Sequence, residues 1–373
     1  MPLADALDYI TIKGFKSIAS IERLELRPIN ILIGANGSGK SNFVEAFSFL
    51  HAIREGRLRD TVAISGGAER LLHFGSKVTK RMCFELSFGG KVNGYELTLL
   101  PSDGDGLVPS DESANYWEKD KYPGPLEYEL RSYQRHGEAG IGFDGFNREI
   151  GLAWARLAAW QVYHFHDSSA SSLMRKTSKV ADNRFLRGDG SNLAAFLYFL
   201  KQKHEAAYSL IRRTVQRVAP FFDDFVLEPS NLRPDDIKLE WRHRISDQYF
   251  DAAALSDGTL RFIALATLFL QPLQLRPSII LADEPELGLH PGAIEILAAL
   301  MQQSSVNTQV IVSTQSSRLL DRFEPADVLV ADRVDGGTTF TRLEAPRLEK
   351  WLEDYSLGEL WEKNEFGGRP ERD

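Results

Sequence analysis

The residues that could do chemistry begin at Gly34. "GANGSGKS", Gly34 to Ser41, has the spacing G-x-x-x-x-G-K-[ST]. Glycines at these places let backbone N–H groups curl around a phosphate, and a following helix N-terminus favours the anion. Gly34, Asn36, Gly37, Ser38, Gly39, Lys40, Ser41 and Asn42 are the candidate nucleotide-binding residues. In this reading Lys40 reaches the β- and γ-phosphates and Ser41 binds Mg²⁺. A second element is "IILADEPE", 279–286. Its apolar run carries Asp283 to the C-terminal end of a strand, where ligands of open α/β sheets bind. Asp283 is suited to hold Mg²⁺ through water, and Glu284 to position and polarise an attacking water. Lys40, Ser41, Asp283 and Glu284 thus supply the charge neutralisation and aligned water that hydrolysis of Mg²⁺-ATP needs. A third element, "LSDGT" at 255–259, opens an apolar helix. Ser256 can cap it and Gly258 allows close backbone approach, so its N-terminus is a second anion site; alone it is equally an ordinary capped helix.

These residues need strands and helices to hold them. "DYITIKGF" and "SIERLELRP" read as β-structure, and "INILIG" as a buried strand before a helix that starts near Gly39, with Phe43, Phe47 and Leu50 on one face. From about residue 250 helices alternate with the strands "PSIILAD", "TQVIVST" and "ADVLVAD", which implies a mostly parallel sheet covered on both faces. Residues 81–135 read as antiparallel meander, with "PSDGDGLVPSDESANYW" as a polar loop. A helical section spans about 190–219, with Ser191 and Asn192 as caps. The expected architecture is α/β, a P-loop NTPase with a mostly parallel sheet, an antiparallel β part and a mixed α/β insertion. Residues 1–80 and 245–345 form the discontinuous ATPase domain, with 81–135 as its antiparallel part. Residues 136–244 are a largely helical insertion and 346–373 a helical tail.

The order of P-loop, "LSDGT", "DEPELGLHP" and "VIVSTQS" resembles that of ABC-type ATPases. With "ITIKGFKSI…LELRPINILIGANGSGKSN", Asn42 and the tail "WLEDYSLGELWEKN…GGRP", it looks more closely like the RecF/SMC-like branch of small cytoplasmic AAA-family ATPases. The resemblance covers 8–55 and 250–333. It implies a head-to-tail homodimer in which Ser256, Asp257 and Gly258 of one protomer close on the γ-phosphate held by the other. Leu287 to His290 would line the same interface, and Lys16 would lie near the nucleotide. Three departures stand out. Asp257 puts a carboxylate where transporter ATPases have glycine, and Gln315 takes the place of the switch histidine. Gln can donate to the γ-phosphate but cannot carry a proton. No glutamine occurs from 42 to 133, where a Q-loop would fall; His73 is a substitute or simply a turn residue.

Composition narrows the partners. The net charge of -8 argues against a surface coated for nucleic acid, though not against a local basic groove. Arginines 54, 57 and 59, the group 212, 213 and 217, and the set Lys176, Lys179, Arg184 and Arg187 read as solvated faces before they read as a groove. The single Cys83 fits a reducing cytoplasm, and the apolar run 262–270 is too short to span a bilayer. His164, His166 and Asp167 read as strand-end packing and capping rather than a metal site. The function expected is a cytoplasmic ATPase, with ATP and Mg²⁺ as cofactors. Its ATP-bridged homodimer would act as a switch on DNA or a separate effector protein such as a nuclease, in DNA repair, recombination or phage defence. The alternatives are an energy-coupling subunit of a membrane transporter and an ATP-binding module with little turnover.

Overall fold

The structure is a computed structural model and describes residues 6–130, 136–143, 148–165, 167, 169 and 171–368. A six-stranded sheet carries the chemistry. Its order is Gly337–Arg342, Val328–Val334, Ile29–Ile33, Gln309–Ser313, Ile279–Asp283, Trp160–Tyr163. Only the first pair is antiparallel. Side chains alternate between two cores, as the period of a strand requires. Ile31, Ile33, Ile280, Ala282, Val310 and Val312 enter one core, and Leu32, Ile279, Leu281 and Ile311 the other. Burial on both faces is why these strands read as continuous apolar runs.

A second six-stranded sheet is antiparallel, in the order Ile18–Glu25, Leu7–Phe15, Met82–Phe88, Asn93–Ser102, Gly106–Tyr116, Leu126–Glu129. The helix Lys40–Arg54 is wedged between the two sheets. Phe47 meets Trp160 of the parallel sheet, ring centroids 5.3 Å apart, and Phe49 meets Phe84 of the antiparallel one at 6.0 Å. A helix covered on two sides buries more than one stripe: Val44, Ala46, Phe49, Ala52 and Ile53 are buried besides Phe43, Phe47 and Leu50. The helix Asp257–Leu270 lies in the other core, where Leu260 to Leu270 are all buried.

Several expectations are corrected. "PSDGDGLVPSDESANYW" is mostly strand: only a turn at 103–105 interrupts two strands paired from Asn93↔Tyr116 to Ser102↔Gly106. Its polar residues are satisfied in place. Buried Glu112 accepts from Tyr95 Oη at 2.9 Å and from the backbone N–H groups of Gly140 and Ile141 at 2.6 and 2.8 Å. The stretch 136–244 is neither purely helical nor purely inserted. Trp160–Tyr163 is the edge strand of the parallel sheet, beside Ile279–Asp283. After it come helices Leu193–Lys203 and Glu205–Val218 and parts of two three-stranded sheets. Asn192 opens its helix but does not cap it with its side chain, which accepts from Arg187 N and donates to the carbonyls of Asp182 and Phe185. Asp167 Oδ1 accepts from Ser169 N at 3.1 Å, a local turn; His166 lies outside the described residues.

The tail forms two short helices, Ala345–Leu352 and Leu357–Glu362. The second, closed by a Ser356–Glu359 capping box, lies on helix Ser317–Leu320, and Gly358 N donates to Asp321 Oδ1 at 2.6 Å. The chain then turns back to the P-loop. Gly368 has φ +81°, donates to Asp332 Oδ1 at 2.8 Å, and would place a Cβ 3.3 Å from Gly34 Cα. No described helix is long and apolar enough to cross a membrane.

Candidate functional site

The site sits at the C-terminal ends of the parallel strands. Strand Ile29–Ile33 ends at Gly34, and Gly39 opens helix Lys40–Arg54 with φ +104°. Neighbours enclose this loop. A Cβ at Gly34 would lie 2.3 Å from the Ala331 carbonyl oxygen, and one at Gly39 2.0 Å from Thr338 Oγ1. Thr338 Oγ1 donates to the Ser38 carbonyl at 2.8 Å and shares a 2.7 Å hydrogen bond with Ser17 Oγ, which also accepts from Asn42 Nδ2 at 2.7 Å. The loop is thus pinned from outside while its inner face stays open. Asn36 and Gly37 are exposed, and a Cβ at Gly37 would meet nothing within 4 Å.

Lys40 is 5 % exposed and folds back to donate from Nζ to the carbonyls of Gly34 at 2.7 Å and Ala35 at 3.0 Å. Burial pushes its ammonium down from the ordinary lysine range, while Glu284 and Asp283 pull it back up. Ser38 Oγ is buried and has no hydrogen-bond partner among the described residues. An orphaned hydroxyl, a desolvated ammonium and an open glycine cradle fit a polyphosphate. The fit extends to a divalent cation. Ser41 Oγ donates to Asp283 Oδ2 at 3.2 Å, so a hydroxyl and a carboxylate 242 residues apart in sequence share one place.

Three further side chains complete the strand ends. Ser313 Oγ donates to Asp283 Oδ1, fixing that carboxylate. Glu284 has φ +39°, in the left-handed region, and its N–H donates to the Ser313 carbonyl at 2.9 Å. Residues in this sparsely populated region cluster at functional sites. Gln315 Nε2 donates to Glu284 Oε1, bringing together two of the three residues expected to be catalytic, Lys40 being the third. Glu286 is 7 % exposed. Burial pushes its carboxyl above the usual carboxylate range, opposed by hydrogen bonds to Thr314 and Gln315.

The stretch "LSDGT" shares no hydrogen bond with the P-loop among the described residues. Ser256 accepts from Thr259 N at 3.2 Å as a true N-cap, and Ser256 and Asp257 are exposed. Gly258 faces its own chain's "LGLH" turn, where a Cβ would lie 2.4 Å from the Gly288 carbonyl oxygen. Asp257 is explained by Arg175, which donates to Asp257 Oδ1 at 2.8 Å, to the Leu255 carbonyl at 3.1 Å and to the Ala252 carbonyl. The carboxylate is thereby paired with a cation.

Lys16 has φ +49° and an ion pair with Glu45. With Ser17, Asn42, His73, Phe74 and Arg333 it lines an open cavity of about 730 Å³ beside the P-loop. His73 is buried, and its Nδ1 lies 2.8 Å from the Lys16 carbonyl oxygen. It holds the Phe15–Ile18 turn in place. Ser17, Thr338, Ser313, Glu286 and Arg175 were not singled out from the sequence. Their partners lie far away in the chain, and only "GGTTF", a turn closing two strands, gave a local signal.

Residues 29–321 match the family model described as "AAA domain, putative AbiEii toxin, Type IV TA system". The chain belongs to this family. No curated protein matches the sequence. Among solved structures this AAA-domain chain is similar to an Smc head bound to the C-winged helix domain of ScpA, with TM-score 0.59 and 19% identity over 92% of this chain and 99% of that one. It is also similar to the Pyrococcus yayanosii Smc head with a coiled coil and joint, at TM-score 0.56 and 13% identity over 93% and 99%. The Pyrococcus furiosus Smc head bound to the C-terminal domain of ScpA gives TM-score 0.52 and 16% identity over 93% and 98%. The AAA-domain chain therefore shares the fold of these Smc heads.

Proposed function

We propose that this protein is a Mg²⁺-dependent ATPase whose ATP-bridged homodimer works as a switch on a partner protein or DNA. The observation that carries the hydrolytic part is the Ser41–Asp283 hydrogen bond of 3.2 Å, beside the Glu284–Gln315 pair. It sets a cation-binding pair next to a carboxylate that can act on water. When bound, Mg²⁺-ATP supplies a polarised γ-phosphoryl group. Lys40 and the N–H groups of the loop bind its charge, and Ser41 and Asp283 hold the cation. Glu284 orients the attacking water and polarises its O–H bond. Gln315 fixes Glu284 Oε1 and donates a hydrogen bond without moving a proton. The cavity lined by Lys16, Phe74 and Arg333 takes the nucleoside.

The dimer rests on the exposure of Ser256, with Leu287 51 % exposed on the adjoining turn. A γ-phosphate contacted from two protomers binds the closed dimer better than the open monomers, and so shifts the population toward it. Some basic residues considered for a DNA groove are instead paired: Arg212 with Asp224, Lys179 with Asp236, Arg187 with Asp182. The Smc heads solved with ScpA domains also favour a protein partner over DNA. Roles in DNA repair, recombination or phage defence belong to this proposal. The direct test is steady-state phosphate release. Wild type should exceed Lys40→Ala by at least about 100-fold, the scale of losing a transition-state charge contact. Equal rates contradict the enzyme reading.

A further inference from the structure

The buried carboxyl of Glu286 lies outside the roles given above. It follows the "ADEP" turn and is packed under the site. Its Oε1 accepts from Thr314 Oγ1 and from the backbone N–H of Gln315 at 3.4 Å. Thr314 Oγ1 in turn accepts from Ser316 N at 2.9 Å, so Thr314 and Gln315 bond Glu286 Oε1 directly and Ser316 is tied to it through Thr314. The middle one is Gln315, whose amide holds Glu284. On its other side Glu286 lies within electrostatic reach of Arg261, on the helix that begins at Asp257. Glu286 Oε2 is buried and makes no hydrogen bond among the described residues.

A side chain kept only for packing would not place an unpaired carboxyl oxygen here, because a buried polar atom without a partner destabilises the fold. Local rules tend to be broken at functional sites. We propose that Glu286 is a positioning residue: it fixes the strand end that carries Gln315, and through Gln315 it sets the orientation of Glu284. This inference rests on the reading of Glu284 as the carboxylate that acts on water. It predicts that losing Glu286 slows turnover without weakening ATP binding.

The test uses the full chain with Glu286→Ala, Glu286→Gln, Gln315→Ala and the Glu286→Ala/Gln315→Ala double variant. Gln keeps an oxygen at the place of Oε1, so Glu286→Gln should retain most of kcat. Glu286→Ala should lose about tenfold in kcat with ATP Kd within twofold of wild type. The double variant should be no slower than Gln315→Ala alone, because Glu286 acts through Gln315. A multiplicative loss in the double variant, or parallel losses in kcat and binding, would overturn the proposal. A second readout needs no turnover. Hydrogen exchange at residues 314–316 of the nucleotide-free protein should accelerate in Glu286→Ala and stay near wild type in Glu286→Gln. Unchanged exchange in Glu286→Ala also overturns it. If wild type releases no more phosphate than Lys40→Ala, the ATPase reading fails separately, and the exchange measurement still decides the positioning role.

Discussion

At the scale of single residues, the site is built from pairs that lie far apart in the chain. Asp257 shows how this decides a role. From the sequence it is an unfavourable charge at a phosphate-binding helix start; in the fold it is the anchor for Arg175, 82 residues away. Asp257 is also well placed in the first turn of its helix, where a negative charge is favoured. Its side chain is 63% exposed, so solvent screens the pair. Asp257→Ala should therefore cost only about 1 kcal/mol in denaturant unfolding, within the combined range of an exposed pair and a helix-dipole contact. The larger effect should be on assembly: Ser256 and Gly258 lose their orientation, and nucleotide-dependent dimerisation weakens more than stability does. Equal loss of both would mean that Asp257 is only a structural cap. The P-loop and "ADEPE" were legible because their meaning lies in spacing and in strand-turn-helix context. Arg175, Ser17 and Thr338 were not, because each acts across 82 to 321 residues of sequence.

At the scale of elements, period and apolarity revealed the parallel strands and helix Lys40–Arg54, but not all their neighbours. The strand Gly106–Tyr116 was hidden because its polar residues find partners inside the sheet, so no clean alternation appears. The strand Trp160–Tyr163 is only four residues long, and nothing local marks it as an edge of the sheet that begins with Ile29–Ile33. The P-loop itself makes a sharp element-scale prediction. Gly39 combines φ +104° with a Cβ position 2.0 Å from Thr338 Oγ1 and 2.7 Å from Ser17 Oγ. Gly39→Ala must both strain the backbone and push apart the hydroxyls that pin the loop. It should lower the thermal midpoint by several degrees, consistent with about 1–3 kcal/mol of backbone strain. Thr338→Ala should relieve part of that loss in the double variant. If Gly39→Ala melts with wild type, the loop is not enclosed as described.

At the scale of the whole molecule, two sheets with a helix between them present a P-loop and, in the proposed reading, a second anion-binding helix start, with no hydrogen bond between the two among the described residues. Lys40 folds back on its own loop, and Ser256 is exposed. Two copies arranged head to tail would bring each helix start to the other's cradle. The tail adds a link within one copy, running from helix Ser317–Leu320, just after Gln315, to Gly34 at the start of the P-loop. The central claim is that ATP is the bridge, and blocking hydrolysis exposes it most directly. The measurement is size-exclusion chromatography with light scattering on Glu284→Gln at saturating ATP and Mg²⁺, against the same protein without nucleotide. The account predicts a monomer without nucleotide and a stable dimer with it, lost again in Glu284→Gln carrying Lys40→Ala. A monomer at saturating ATP and Mg²⁺, with binding of ATP independently verified, would contradict it.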